Sequence, residues 1–117
     1  MSLVKGNFFY TDNRLLYADE NTTGTALDEK QVFSLFANNL RELRQHLGLS
    51  LMKLSEILDI PNQTLSSYET KTHIPSMVQA VKIASFFHLS LEEMILCGLD
   101  EYPFDAIELY ERKKNEI

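Results

Sequence analysis

Apolar residues fall into two patterns along this chain. They come in short clusters up to about residue 27 and at helical spacing after it. Phe33, Phe36, Leu40, Leu43 and Leu47 step by 3, 4, 3 and 4, which places all five on one stripe of a helix from about Asp28 to Leu47. Gly48, able to adopt positive φ, ends that helix. Ser50 offers an N-cap to a short second helix with Leu51, Leu54 and Leu58 inward. The chain then breaks at Asp59-Ile60, because a residue before proline is pushed out of the helical region. It restarts after Pro61 as a third helix from about Asn62 to Glu69, with Leu65 and Tyr68 inward. Ser76-x-x-Gln79 predicts a capping box for a fourth helix, with Met77, Ala80, Val81, Ala84 and Phe87 as its buried stripe. Ser90-x-x-Glu93 predicts a second box, opening a short fifth helix with Leu91, Met94 and Ile95. The expected helices are 29–47, 51–58, 62–69, 76–88 and 91–97, with Leu40, Leu54, Leu58, Leu65, Val81 and Ala84 buried together.

Both ends differ from this centre. Gly6–Tyr10 and Arg14–Tyr17 are β-prone runs separated by Thr11-Asp12-Asn13, which has turn chemistry and suggests a hairpin. Asn21–Thr25 reads as a polar linker. Phe8, Phe9, Tyr10, Leu15, Leu16 and Tyr17 are too apolar for a solvated arm, so this segment is expected to pack on its own domain or across a homodimer. At the other end, Asp105-x-x-Glu108 follows Pro103-Phe104 and resembles a third cap. It would start an extra helix to about Lys114, whose Ile107 and Tyr110 offer a second candidate interface. Three regions result: an N-terminal arm (1–27), an all-α domain (28–97) and an acidic C-terminal helix or tail (98–117).

Charge and cysteine content narrow the function classes. The single cysteine, Cys97, cannot form an internal disulfide and has no Cys-x-x-Cys partner for zinc. It reads as a buried small hydrophobe in a protein of a reducing compartment, the cytoplasm. No apolar run is long enough to cross a bilayer, and the N-terminus does not have the pattern of a signal peptide. A net charge of −6 argues against nucleic acid at first sight. From Phe33 to Leu96, however, five Lys and Arg face six Asp and Glu, so the flanks carry most of the excess acid. Arg41, Lys53, Lys71 and His73 are candidate phosphate contacts, although scattered surface charge is the plainer reading of each taken singly. His46, His73 and His88 lack metal-ligand spacing. No nucleophile–base pair, Gly-rich phosphate loop or catalytic carboxylate pair is present. Neither an enzyme nor a bound metal or cofactor is expected.

The second and third helices, two short helices joined by a tight turn, make a helix-turn-helix unit. Around it stand Leu40-Arg41-Glu42-Leu43-Arg44, Gly48-Leu49-Ser50, Leu54-Ser55-Glu56-x-Leu58, Thr64-Leu65-Ser66-x-Tyr68-Glu69, Pro75-Ser76, Ile83-Ala84 and Leu89-Ser90-Leu91-Glu92-Glu93-Met94. In this order and spacing the stretch Leu40–Ile95 resembles the Cro/phage-repressor family, also called the xenobiotic-response-element family, of helix-turn-helix regulators. The resemblance implies a five-helix DNA-binding domain whose third helix enters the major groove of double-stranded DNA. Its base contacts would be Asn62, Gln63, Ser66 and Ser67. Ser50 and Thr64 would join Arg41, Lys53, Lys71 and His73 on phosphates, and Arg44 and Glu69 would form a structural ion pair. The implied function is a cytoplasmic transcriptional regulator, a repressor acting as a homodimer on a two-fold operator. The chain departs from the family pattern at several positions. Leu51 stands where the family often has a phosphate-binding Gln, Asp59 replaces the turn Gly, Pro61 replaces a Ser or Thr cap, and Thr70-Lys71-Thr72 replaces Asn-Gly-Lys. These departures and the acidity define the alternative: a protein-interaction module or antitoxin that binds a protein partner through its flanks and has weak or no DNA binding.

Overall fold

The apolar stripes fold as six helices: α1 (Glu29–His46), α2 (Leu51–Leu58), α3 (Asn62–Glu69), α4 (Met77–Phe86), α5 (Leu91–Leu96) and α6 (Ala106–Glu116). This arrangement comes from a computed structural model, which describes the backbone of residues 6–11, 14–19, 25–99 and 102–116 and the side chains of 28–99 and 102–116. Three antiparallel strands precede the helices: β1 (Gly6–Thr11), β2 (Arg14–Asp19) and β3 (Thr25–Leu27), in sheet order β1-β2-β3. Strands β1 and β2 fall on the two β-prone runs, with Phe8 opposite Tyr17 and Tyr10 opposite Leu15. At three residues β3 is too short to carry an alternation, so nothing in the sequence announces it. The expected turn residues Asp12 and Asn13 and the packing of Phe8, Phe9, Tyr10, Leu15, Leu16 and Tyr17 lie outside the described residues. Among the described residues, no helix is long and apolar enough to cross a membrane.

Short polar side chains start every helix except α3. Ser50, Ser76 and Ser90 each accept a hydrogen bond from the N–H three residues on, and Asp105 does the same for Glu108. Asp28–Gln31 and Ser90–Glu93 are reciprocal capping boxes. Four helices end in one way. At Gly48, Asp59, Lys71 and His88 the backbone turns left-handed, with φ of 68°, 55°, 67° and 60°. In each case the next residue's N–H reaches back across the turn: Leu49 to Arg44, Ile60 to Ser55, Thr72 to Ser67 and Leu89 to Ala84. This 6→1 bond is the Schellman signature and satisfies a terminal carbonyl. Only Gly48 adopts the conformation without a Cβ penalty.

One core joins all six helices: Phe36, Leu40 and Leu43 from α1, Leu54 and Leu58 from α2, Leu65 and Tyr68 from α3, Ile83 and Ala84 from α4, Met94 from α5 and Leu109 from α6. Phe33 and Leu47, expected in the α1 stripe, are only half-buried. The α4 reading needs a larger correction. Val81 and Met77 are 45 % and 77 % exposed, whereas Ala80, Ile83, Ala84 and Phe87 point inward. At about 100° per residue those four share one face, and Val81 lies well off it. With two overlapping stripes available, the one carrying Phe87 and Ile83 is buried. Helices α4 and α5 also end one or two residues before the expected limits, in their closing turns.

Helix α6 is a wall of this core. Ala106, Leu109 and Tyr110 are buried, and Tyr110 meets Phe87 edge-on at 6.5 Å between ring centroids. His46 Nε2 lies 2.8 Å from Glu111, a contact that holds the Glu111 carboxyl below its ordinary pKa, and Lys113 pairs with Glu93. Tyr110 is therefore used within the chain and is not a free interface residue. At the end of α5, Asn39 of α1 is 4 % exposed and donates through Nδ2 to the carbonyls of Met94 at 2.7 Å and Cys97 at 2.8 Å. It closes the C-terminus of α5, where orphan carbonyls would otherwise be buried. The chain leaves α5 through Gly98, whose φ of +104° favours glycine and where a Cβ would stand 3.3 Å from the Leu35 side chain. Cys97 is fully buried, and burial pushes its thiol up to about 12. Such a thiol is inert near neutral pH.

Two expected outcomes follow, both measured by urea unfolding. Asn39→Leu leaves two buried carbonyls without a donor and costs about 1–3 kcal/mol. His88→Gly removes a left-handed penalty of about 1–2 kcal/mol at the cost of some chain entropy, leaving a net gain of up to about 1 kcal/mol.

Candidate nucleic-acid interface

The orientation of α3 is set from below. Leu65 is fully buried, with Tyr68 and Glu69 beside it. At about 100° per residue Gln63 and Ser67 then lie about 160–200° from Leu65, on the outermost line of the helix. Gln63 is exposed and Ser67 half-buried. Asn62 is exposed at the first helical position, while Ser66 and Thr64 flank the outer line, half-buried. Asn62, Gln63, Ser66 and Ser67 thus form one short polar surface. Pro61 makes no side-chain cap bond, so no capping side chain covers the N–H groups of the first turn.

Arg44 and Glu69 lock this helix to α1. Arg44 donates through Nε to Glu69 Oε2 at 2.6 Å and through Nη2 to Oε1 at 3.0 Å, a two-point pair. Its Nη1 donates to the Leu49 carbonyl at 2.8 Å. One guanidinium therefore fastens the end of α1, the chain entering α2 and the last turn of α3. The Glu69 hydrogen bond raises the Arg44 pKa further, against the lowering effect of desolvation.

The hydroxyls are partly committed. Ser50 Oγ accepts the Lys53 N–H, which caps α2 and leaves the hydroxyl proton free to donate. Ser67 Oγ donates to the Thr64 carbonyl at 2.6 Å, so in this arrangement Ser67 can only accept. Arg41 stands exposed on α1, off the buried stripe. Lys53 is exposed and 3.8 Å from Glu56, a loose surface pair of small energetic weight. Lys71 and His73 are exposed in the α3–α4 loop and line one groove together with Lys30 at the start of α1. The candidate residues thus fall in three places: the outer line of α3, the capped start of α2 and the loop after α3. Arg41 stands apart from these. One relevant residue escaped sequence reasoning. Lys30 is distant in sequence, and no local signal connects it to the loop. Leu51, at the phosphate-binding position of the family pattern, packs partly against the core; its apolar character was the visible signal.

The Arg44–Glu69 pair has a measurable consequence. The two side chains are only 13 % and 5 % exposed. Arg44→Ala or Glu69→Ala strands a buried charge and costs about 3–5 kcal/mol, while the double change Arg44→Met with Glu69→Leu costs less than either. Denaturant unfolding measures this, and a double-mutant cycle closed with the Arg44→Ala/Glu69→Ala double variant gives the coupling. Coupling near zero contradicts it.

The chain is similar to known proteins. The crystal structure of a transcriptional regulator from Listeria innocua aligns over 70 % of this chain and 77 % of its own, with a TM-score of 0.49 and 23 % identity. An uncharacterized HTH-type transcriptional regulator of Bacillus subtilis, YgzD, is 33 % identical over 57 residues, which cover 49 % of this chain and 86 % of that protein. The helix-turn-helix family matches residues 40–94, the stretch that contains α2, α3 and the Arg44–Glu69 pair. The chain belongs to the Cro/phage-repressor family of helix-turn-helix transcriptional regulators.

Proposed function

We propose that the protein is a cytoplasmic, sequence-specific transcriptional repressor that binds double-stranded DNA as a homodimer and reads the major groove with α3. One observation carries this reading: Asn62, Gln63, Ser66 and Ser67 form an outward polar surface on a helix held by Leu65, Tyr68 and the Arg44–Glu69 pair. Amide and hydroxyl groups suit base edges, whereas contacts to phosphate alone would favour Lys and Arg. Gln63 and Asn62 each match adenine, which offers an acceptor and a donor side by side. Ser67, restricted to accepting, matches an exocyclic amino group and not the guanine O6. Ser50, Lys53, Thr64, Lys71, His73 and Arg41 contact the backbone. A single eight-residue reading helix makes few contacts. Two copies about one DNA turn apart supply the rest. The exposed apolar face of α4, at Met77, Val78 and Val81, supports pairing of two copies. No catalytic step, metal or cofactor forms part of the proposal.

The overall acidity and Leu51 favour the second reading, an interaction module or antitoxin without groove contacts. Salt dependence separates the two. Three cations on phosphates (Arg41, Lys53 and Lys71) give a log–log salt slope of about −3 per protomer; an interaction module gives weak or no duplex binding even at low salt. On a duplex selected from a random pool, Gln63→Ala costs about 1–3 kcal/mol of affinity and leaves random-duplex binding unchanged, while Arg41→Ala weakens both alike. Fluorescence anisotropy reads each outcome. If Gln63→Ala leaves specific binding unchanged, the groove-reading proposal is wrong.

A further inference from the structure

A groove of about 600 Å³ opens between the first turns of α1 and the α3–α4 loop. Its size falls within the range of small-molecule sites. Phe33 and Phe36 of α1 and Tyr68 of α3 are among its lining residues, Phe33 half-buried and the other two at the edge of the core, and Ile74 and Pro75 add apolar surface from the loop. Ile74 is 55 % exposed. The polar lining is unequal in sign. Lys30, Lys71 and His73 stand around this apolar floor, opposed by one carboxylate, Glu29. None of the three is joined to a carboxylate among the described ion pairs.

We propose that this groove binds a small aromatic carboxylic acid, its ring on Phe33, Phe36 and Tyr68 and its carboxylate held by Lys71 and Lys30. Aromatic walls favour a flat ring, which packs offset or edge-on against them. The excess of lysine selects an anion, because a neutral ring would leave both lysines unanswered and a cation would meet two lysines against the single Glu29. Binding there also bears on DNA. This second part rests on the repressor reading, in which Lys71 and His73 contact phosphate. A carboxylate in the groove engages the same lysine and competes with the phosphate, so the ligand weakens duplex binding.

The test uses the full chain and 8-anilinonaphthalene-1-sulfonate, an aromatic anion whose fluorescence rises in apolar sites, with 2-naphthoate and neutral 2-naphthamide as competitors. The expected result is saturable one-site binding of the probe. Naphthoate displaces it, and naphthamide does so about tenfold more weakly, a difference of about 1.4 kcal/mol. Lys71→Gly is safe for the fold, because φ is +67° there. Combined with Lys30→Gln it weakens naphthoate about tenfold and leaves naphthamide unchanged. Ile74→Glu abolishes probe binding, whereas Val78→Asp, on the exposed face of α4 outside the groove, does not alter it. Absence of saturable binding, equal competition by acid and amide, or loss of the site in Val78→Asp but not in Ile74→Glu overturns the groove assignment. For the second part, naphthoate weakens duplex affinity of the native chain and not of Lys71→Gly. Naphthoate bound with duplex affinity unchanged overturns the coupling. A chain that binds naphthoate but no duplex defeats the repressor reading and leaves the site standing.

Discussion

Arg44 is the residue on which the arrangement of α3 depends. Its guanidinium makes three hydrogen bonds, two to Glu69 on α3 and one to the Leu49 carbonyl just before α2. The planar fork matches a carboxylate at two points, which Lys could not do. Distance and direction between α1 and α3 are therefore both constrained. Leu65 and Tyr68, packed into the core below, limit rotation of α3 about its own axis. With translation and rotation both restrained, the line Gln63–Ser67 has a defined direction in space. Burial of an ion pair gives little net stability compared with an apolar replacement. Its value here is geometric: it orients a surface.

The turns between helices serve the same end. Four helices end in the same left-handed turn, and three of these turns use Asp59, Lys71 and His88 in place of glycine. Each such residue carries strain of about 1–2 kcal/mol, offset by the carbonyl bonds that the turn completes. At Lys71 the strained position also presents a cation just after the end of α3. A glycine would relieve the strain and lose the charge, so this position exchanges stability for a positive charge.

Much of this architecture was legible in the sequence because its signals were local. Ser50, Ser76 and Ser90 announced helix starts, Gly48 and Pro61 announced breaks, and stripes such as Phe36-Leu40-Leu43 announced buried faces. The resemblance through Glu69, Pro75-Ser76 and Leu89-Ser90-Leu91 ordered these pieces into one family pattern. What escaped depended on distant partners. Asn39 looks like a solvated residue of α1 until α5 brings two carbonyls to it. Val81 and Ile83 compete for the same helix, and only the placement of the neighbouring helices decides that Ile83 is buried. Tyr110 looks like an interface residue until Phe87 is found beside it. At the candidate site, Gln63 and Ser67 were readable from the inward positions of Leu65 and Tyr68. The commitment of the Ser67 hydroxyl to Thr64 was not, because a serine's hydrogen-bond partner leaves no trace in spacing.

Whether the outer line of α3 meets base edges is most directly tested by dimethyl sulfate footprinting on a duplex selected from a random pool. The reagent methylates guanine N7 in the major groove and adenine N3 in the minor groove. If α3 occupies the major groove, N7 positions in two half-sites about one helical turn apart are protected, and minor-groove adenines between them stay reactive. Protection confined to adenine N3, or none at saturating protein, would contradict the assignment of α3 as the reading helix.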